Sequence, residues 1–289
     1  MQNSVQLGTQ HYRESICRRL RELREQESLP FTIEEKQQGD YWFVQCQFDL
    51  PALADGQEQF TMVKIYRYYL ANAITETIVG HWEQDYINRL LRRKYHLTKE
   101  EIREVLAKAL QYLNGGLGQT YRVHRRTYLM EQILACLDTQ AFLDVEGFLR
   151  FRAQNYRGEI DKAVSFAVDE FVLEREYVEF IELLKHFLDT QVPRMDTLHV
   201  LINSRGKFNL YNDNGQIVTG QFLDEFSVEE GSNEFSYEDL LISSLIAVAP
   251  HHVILHIEYD GYKDTLRTIS QVFQDRVSYC AGCDLCKKL

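Results

Sequence analysis

The spacing of apolar residues changes twice along this 289-residue chain, and those two changes constrain its fold more than any other feature. From Thr61 to Gln191 apolar residues recur mainly three or four positions apart, which is the period of an amphipathic α-helix. The first of these stretches carries one apolar stripe, made of Val63, Tyr66, Leu70, Ile74, Ile78, Trp82, Tyr86 and Leu90. Before Thr61 and after Pro193 the apolar positions often alternate, as they do in half-buried strands. The pattern predicts a helical centre between two parts that contain strands.

The N-terminal part has the pattern of a helix followed by a β-hairpin. Residues 10–27 place Ile16, Leu20 and Leu23 at helical spacing and mix both signs of charge. Two alternating segments then flank Gly39-Asp40, a pair that is typical of a tight turn.

The C-terminal part alternates between predicted strands and short predicted helices. The strands are expected within residues 196–203, 207–220, 251–259 and 276–280, and the helices within residues 235–249 and 263–274. Residues 212–215, Asn-Asp-Asn-Gly, form a strong hairpin signal. A strand, a helix of ~10–12 residues and a further strand predict a βαβ crossover with parallel strands.

We therefore predict an α+β fold with a largely helical central region, a small α/β N-terminal part and a C-terminal α/β unit that holds the β-hairpin and the βαβ crossover. The corresponding domains are residues 1–58, 59–192 and 193–289.

Three groups of residues in the predicted helices carry a family resemblance. They are Phe148–Arg152, Ala167–Phe171, and Glu176-Tyr177 followed by Glu179–Ile181. This pattern resembles the YtxC-like family, which is described as a family of sporulation proteins in spore-forming Firmicutes. The likeness covers roughly the last two-thirds of the chain. It implies a link to spore formation, and it brings no reaction, substrate or catalytic residue with it.

Three cysteines, Cys280, Cys283 and Cys286, follow one another at every third position. Thiolates bind soft metal ions, and a CxxC spacing lets two sulfurs hold one ion. Three cysteines at this spacing also resemble part of an iron–sulfur run. The predicted cofactor is zinc or an iron–sulfur cluster, and the alternatives are redox-active thiols or a tail without metal.

A fourth ligand for such a metal is expected from elsewhere in the fold. The predicted strand at residues 251–259 ends near Glu258 and Asp260. This is the sheet edge at which Cys280 leaves the last strand, so these two carboxylates are the predicted candidates. His251 and His252 begin that strand, so they lie ~15–20 Å from the tail edge at ~3.3 Å per residue. A second protomer is a further source of a donor.

The charge of the chain argues against nucleic acid as its main partner. The formal net charge is −11 and the isoelectric point about 5.4, whereas nucleic-acid binding depends on Lys and Arg. One basic segment interleaves Arg with aromatic residues, as polyanion-binding surfaces do. Its candidate contacts are Arg89, Arg92, Arg93, Lys94, Arg122, Arg125 and Arg126. The alternative is that this basic face meets the acidic residues 224–239, within the chain or across an oligomer.

No P-loop, GxSxG, HExxH or kinase signature is present in the sequence, which favours a protein that is not an enzyme. No stretch has the ~20 apolar residues of a membrane span, and the first residues lack an apolar leader, so a cytoplasmic location is expected. Cys17, Cys46 and Cys136 fall within apolar patterns and are predicted to lie in the core.

The sequence thus predicts a cytoplasmic, sporulation-associated protein that acts through contact with a protein partner and holds a metal at its cysteine tail. The first alternative is a metal-dependent or iron–sulfur redox protein, sensor or enzyme. The second is a nucleic-acid-binding protein that uses the basic segment.

Overall fold

The structure of the chain is a computed structural model, and it describes residues 3–49, 56–116, 119–203, 207–218, 237–257 and 262–288. The α-helices in these ranges are α1 (Arg13–Gln26), α2 (Gly56–Thr77), α3 (Glu83–Lys94), α4 (Lys99–Gln111), α5 (Gln119–Thr139), α6 (Val145–Phe151), α7 (Gln154–Thr190), α8 (Tyr237–Val248) and α9 (Lys263–Phe273). The strands are β1 (Ser4–Thr9), β2 (Phe31–Gln38), β3 (Tyr41–Phe48), β4 (Phe142–Asp144), β5 (Thr197–Ile202), β6 (Phe208–Tyr211), β7 (His252–Ile257) and β8 (Val277–Tyr279). The predicted α+β class with a helical centre is confirmed.

The chain divides into two compact units, which we call unit 1 (Met1–Val172) and unit 2 (Leu173–Leu289). Each unit has its own cluster of buried apolar side chains, and α7 contributes residues to both. The division into domains at residues 58 and 192 stays a prediction.

In its described residues, unit 1 combines a four-stranded sheet with six α-helices and the first part of α7. The strand order is β2-β3-β1-β4, in which β2, β3 and β1 are antiparallel neighbours and β4 runs parallel to β1. The hairpin predicted at Gly39-Asp40 is present, and Gly39 has a φ of 62°. Its core includes Leu7 on β1, Ile16 on α1 and Ile74 on α2.

Two stretches of the helical centre are wound as π-helices rather than α-helices. Ile78–Trp82 lies between α2 and α3, and Tyr112–Gly116 follows α4. The apolar period predicts both regions as helical but does not distinguish the two windings, because the side chains still alternate between a buried and an exposed face.

Unit 2 contains a four-stranded sheet of order β6-β5-β7-β8. β6 is antiparallel to β5, whereas β7 is parallel to both β5 and β8, so the predicted βαβ crossover is present. Its core includes Val200 on β5, Leu245 on α8, Leu255 on β7 and Ile269 on α9. Of the helices in the described ranges, none has the length and apolar character needed to cross a bilayer.

Candidate metal centre

The parallel strands β7 and β8 bring the cysteine tail to the carboxyl end of β7. Leu255 lies opposite Tyr279, the last residue of β8. The backbone N–H of Cys280 then donates to the carbonyl oxygen of Leu255 at 3.0 Å. The tail therefore leaves the sheet beside His256, which is 1% exposed.

Two local turns fold the tail so that its sulfurs converge. Gly282 has a φ of 124°, a conformation that favours glycine, and its N–H donates to the Cys280 sulfur at 3.3 Å. The N–H of Cys286 donates to the carbonyl oxygen of Cys283 at 3.1 Å, at the start of the 3₁₀-helix Leu285–Lys288. The CxxCxxC spacing thus produces a compact loop with its thiols on one side.

One imidazole nitrogen and three sulfurs form the resulting cluster. The Sγ of Cys286 lies 3.7 Å from that of Cys280 and 3.9 Å from that of Cys283. The Nδ1 of His256 lies 3.3 Å from the Cys286 sulfur and 3.6 Å from the Cys283 sulfur. All four ligand atoms lie within 4.8 Å of one another.

The four individual separations, 3.3, 3.6, 3.7 and 3.9 Å, match those around a single tetrahedral ion. Zn–S bonds of about 2.3 Å and a Zn–N bond of about 2.0 Å place sulfurs about 3.8 Å apart and nitrogen about 3.5 Å from each sulfur. Three thiolates and an imidazole are also a donor set that zinc uses in structural sites. The residues present therefore fit a zinc ion by both distance and chemistry.

The surroundings of the tail shift the pKa values of Cys280 and Cys283 in opposite directions. The N–H of Cys286, with help from that of Leu285, lowers the pKa of the Cys283 thiol. The N–H of Gly282 has the same effect on Cys280, but desolvation and the two neighbouring thiols outweigh it and raise the pKa of Cys280. Cys283 is therefore the thiol of the two that ionises more readily, and a bound cation would favour ionisation of both.

A second histidine orients the imidazole of His256. The Nε2 of His256 lies 3.0 Å from the Nδ1 of His199 on β5, and the Nε2 of His199 lies 3.8 Å from Asp213. When Nδ1 of His256 faces the sulfurs, its Nε2 carries the proton and donates to His199. Burial, and then the proximity of His199, lower the pKa of His256, which favours the neutral imidazole that metals bind.

The three cysteines thus lie together at the predicted edge of the sheet. Among the described residues the fourth donor is His256, which the sequence interpretation did not include. Glu258 and Asp260 fall outside the described residues, so neither carboxylate is tested. His252 begins β7 at the opposite end, as expected. The sequence does hold a signal for His256, because it is a polar residue near the carboxyl end of an apolar strand that precedes the Cys280 strand.

The basic residues singled out in the sequence do not form one uniform surface. Arg89, Arg92, Arg93 and Lys94 are exposed on α3. Arg126 pairs with Glu76, and the side chain of Arg122 lies outside the described part of the chain. Arg125 is buried against Glu83, so the structure removes it from the set of polyanion contacts. A polyanion contact on α3 stays a prediction.

A curated relative, the "Uncharacterized protein YtxC" of Bacillus subtilis (strain 168), is 24% identical over 203 residues, which span 68% of this chain and 70% of the relative. No solved structure matches the chain. The profile of the YtxC-like family matches residues 68–278, a span that includes His199 and His256 and ends just before Cys280. Because this match covers more than half of the sequence, the chain belongs to the YtxC-like family.

Proposed function

We propose that this protein binds one zinc ion through Cys280, Cys283, Cys286 and His256. The observation that carries the proposal is the set of four donor atoms within 4.8 Å of one another, in which four of the six separations are those expected around a tetrahedral ion. The 3.0 Å contact between the Nε2 of His256 and the Nδ1 of His199 supports it, because metal-binding histidines usually donate their second nitrogen proton to such a partner.

Zinc is preferred to an iron–sulfur cluster for two reasons. Iron–sulfur clusters are usually held by four cysteines, whereas the fourth donor here is an imidazole. The donor atoms also surround the volume of one ion, while a cluster with several irons and sulfides needs its ligands further apart. Zinc accepts mixed sulfur and nitrogen ligands and has no redox chemistry.

The proposed zinc is structural rather than catalytic. Catalytic zinc sites keep one position open for water or substrate, whereas four protein donors fill a tetrahedral ion. The ligands also join elements that are otherwise held by few bonds, since β8 has only three residues and the tail beyond it has one short 3₁₀-helix. The ion would hold the tail to the carboxyl end of β7.

A competition titration with a chromophoric zinc chelator tests the zinc site. The wild-type protein is expected to take up one zinc ion, and His256→Ala and Cys283→Ser are expected to bind zinc at least about a hundredfold more weakly, because each removes a direct ligand. His252→Ala, an exposed histidine at the start of the same strand, is the matched control and should bind as the wild type does. No zinc uptake by the wild type, or wild-type affinity in His256→Ala, would contradict the proposal.

We further propose that the protein acts in the cytoplasm during spore formation as a binding protein rather than an enzyme. The support is the link to sporulation that the family resemblance implies, together with a metal centre that has no open position. Deletion of the gene in the producing organism is expected to lower the count of heat-resistant spores, and a Cys283→Ser copy should restore it less well than the wild-type copy. An unchanged spore count after deletion would refute this role.

A further inference from the structure

Within unit 2, the helix α7 has two apolar faces, of which one is buried. Residues 173–190 of this helix pack against the core of the unit through Tyr177, Ile181, Leu184 and Leu188. The hydroxyl of Tyr177 also donates a 2.7 Å hydrogen bond to a side chain of α9, which fixes the side of the helix that faces the core. A surface helix needs one apolar face to pack in this way, so the second face calls for a separate explanation.

The second apolar face is an exposed row of side chains that we call the α7 stripe, which consists of Leu173, Phe180, Leu183 and Phe187. These side chains are between 46% and 66% exposed. The first, second and fourth are spaced at seven residues, and Leu183 lies one turn from both Phe180 and Phe187, so the four share one side of the helix. Together they expose roughly 400 Å² of apolar surface, which is the size of patches that often bind a partner.

The spacing of the α7 stripe indicates that its partner is an α-helix. Two helices pack along a seam when apolar residues recur at positions a and d of a seven-residue repeat. The three residues at seven-residue spacing take position a here, and Leu183 takes position d. The exposed area is also about half of the ~800 Å² that each partner contributes to an interface of standard size. It therefore suits a single helix better than the surface of a whole domain.

The charges around the stripe indicate that this partner helix is basic. Glu176 occupies position d one repeat before Leu183, so it lies within the seam, and Glu179 lies beside the seam at position g. Both residues are exposed. The 3.7 Å ion pair between Glu179 and Arg175 is exposed to solvent and therefore weak. Residues 173–190 hold five carboxylates and two cations, which favours Lys or Arg on the helix that covers them.

The same charges disfavour other occupants of the stripe. Two copies of the chain would bring their own carboxylates together along the seam, which costs free energy. An anionic lipid surface attracts basic segments and would repel this one. Residues 219–236 of the chain contain five carboxylates and no Lys or Arg, so they lack the complementary charge as well.

We propose that the α7 stripe binds a basic amphipathic α-helix of a partner protein. The partner helix packs its apolar side chains on Phe180 and Leu183 and places Lys or Arg beside Glu176 and Glu179. Such a helix belongs to the binding partner of the proposed function, so the inference rests on that function. The stripe itself shares no residue with the proposed zinc ligands.

Fluorescence anisotropy of the full-length protein with two labelled synthetic peptides tests this surface. Both peptides have three heptads with Leu at a and d, and one carries Lys at e and g where the other carries Glu. The lysine peptide is expected to bind saturably and to become helical by circular dichroism. The glutamate peptide should bind at least about tenfold more weakly, because its charges meet Glu176 and Glu179. Zinc uptake and spore counts do not enter this assay, so its failure is distinguishable from failure of the proposed function.

The double variant Phe180→Ala/Leu183→Ala is expected to bind the lysine peptide at least about tenfold more weakly, because it removes the centre of the stripe. Val178→Ala is the matched control. Val178 is 56% exposed on the same helix but points to another side of it, so this variant should bind as the wild type does. Equal affinity of the wild type for the two peptides, or wild-type affinity in the double variant, would overturn the proposal.

Sedimentation equilibrium tests the alternative that a second copy covers the stripe. The wild-type protein is expected to show no dimer that depends on these residues. A wild-type dimer that dissociates in Phe180→Asp would overturn the proposal, because the stripe would then join two copies of the chain.

Discussion

Glu83 and Arg125 place two opposite charges in the interior of unit 1, where water solvates neither of them. Their side chains are 1% and 3% exposed, and the phenol of Tyr156 donates to the same carboxylate. Burial, and then the charge of Glu83, raise the pKa of Tyr156 well above its ordinary value, so the phenol stays neutral and keeps its proton for this hydrogen bond. Each member of the network therefore depends on the other two.

Replacement of the buried carboxylate tests that dependence. Glu83→Ala is expected to lower the free energy of unfolding by about 3–5 kcal/mol, because it leaves the Arg125 charge buried without its counter-ion. Urea denaturation measures the change, and Glu131→Ala, an exposed glutamate on α5, serves as the control with a change within about 0.5 kcal/mol. A loss below about 1 kcal/mol in Glu83→Ala would mean that Arg125 finds water or another partner.

The cysteines of the chain differ sharply in expected reactivity. Burial raises the pKa of Cys17 to about 12 and that of Cys46 to about 12, so at pH 8 almost none of either thiol is ionised. In metal-free protein, iodoacetamide is expected to modify Cys283 more than about a hundredfold faster than Cys17 or Cys46. Peptide mass spectrometry gives the three rates.

The same reaction in urea provides the control for thiol labelling, since unfolding should remove the difference between the core and tail cysteines. Rapid modification of Cys17 or Cys46 in the folded protein would show that the core opens near β3 and α1. Loss of Cys283 labelling on addition of zinc is also expected, because a coordinated thiolate is shielded.

At the scale of single elements, the start of α4 is stabilised by a reciprocal pair of hydrogen bonds. The hydroxyl of Thr98 accepts from the N–H of Glu101, and the carboxylate of Glu101 accepts from the N–H of Thr98 at 2.7 Å. Thr98→Ala removes the first bond and is expected to cost about 0.5–2 kcal/mol of stability in urea denaturation. Thr127→Ala, at an exposed position inside α5, should change stability little. Equal effects of the two substitutions would contradict the capping assignment.

The tail of unit 2 is the element that depends most on the proposed ion. In the structure the N–H of Cys280 donates to the carbonyl oxygen of Leu255 at 3.0 Å, and the N–H of Cys286 donates to that of Cys283 at 3.1 Å. Removal of zinc is expected to raise the hydrogen-exchange rates of both amides, because β8 alone is too short to hold the tail. Amides of β1 and β3 in unit 1 should keep their protection. Unchanged exchange at Cys280 after zinc removal would argue against a structural role.

For the whole molecule, local patterns account for the helical centre, for the hairpin that joins β2 to β3 and for the crossover that joins β7 to β8. The stripe from Val63 to Leu90 fixes a helical period, and the turn at Gly39-Asp40 joins strands that are adjacent in sequence. β1 and β4 were not predicted. They pair with each other across more than a hundred residues, and β4 has only three residues, so neither carries a pattern that short-range rules can detect.

The candidate site shows the same limit. The cysteine spacing is local, and it identified the three thiols and the edge of the sheet from which they extend. The role of His256 comes from strand register, because the pairing of Leu255 with Tyr279 sets His256 beside Cys280. The burial of Arg125 is likewise set by residues far away in the sequence, Glu83 and Tyr156. Side chains that meet across the fold cannot be identified from their own neighbours in sequence.

X-ray absorption spectroscopy at the zinc edge tests the central claim most directly, with full-length protein loaded with one equivalent of zinc. We expect three sulfur ligands at about 2.3 Å and one nitrogen ligand at about 2.0 Å, with the outer-shell scattering of an imidazole. In His256→Ala that imidazole signal should disappear while the sulfur shell remains. A wild-type spectrum with only oxygen ligands, or one without any imidazole contribution, would contradict the account.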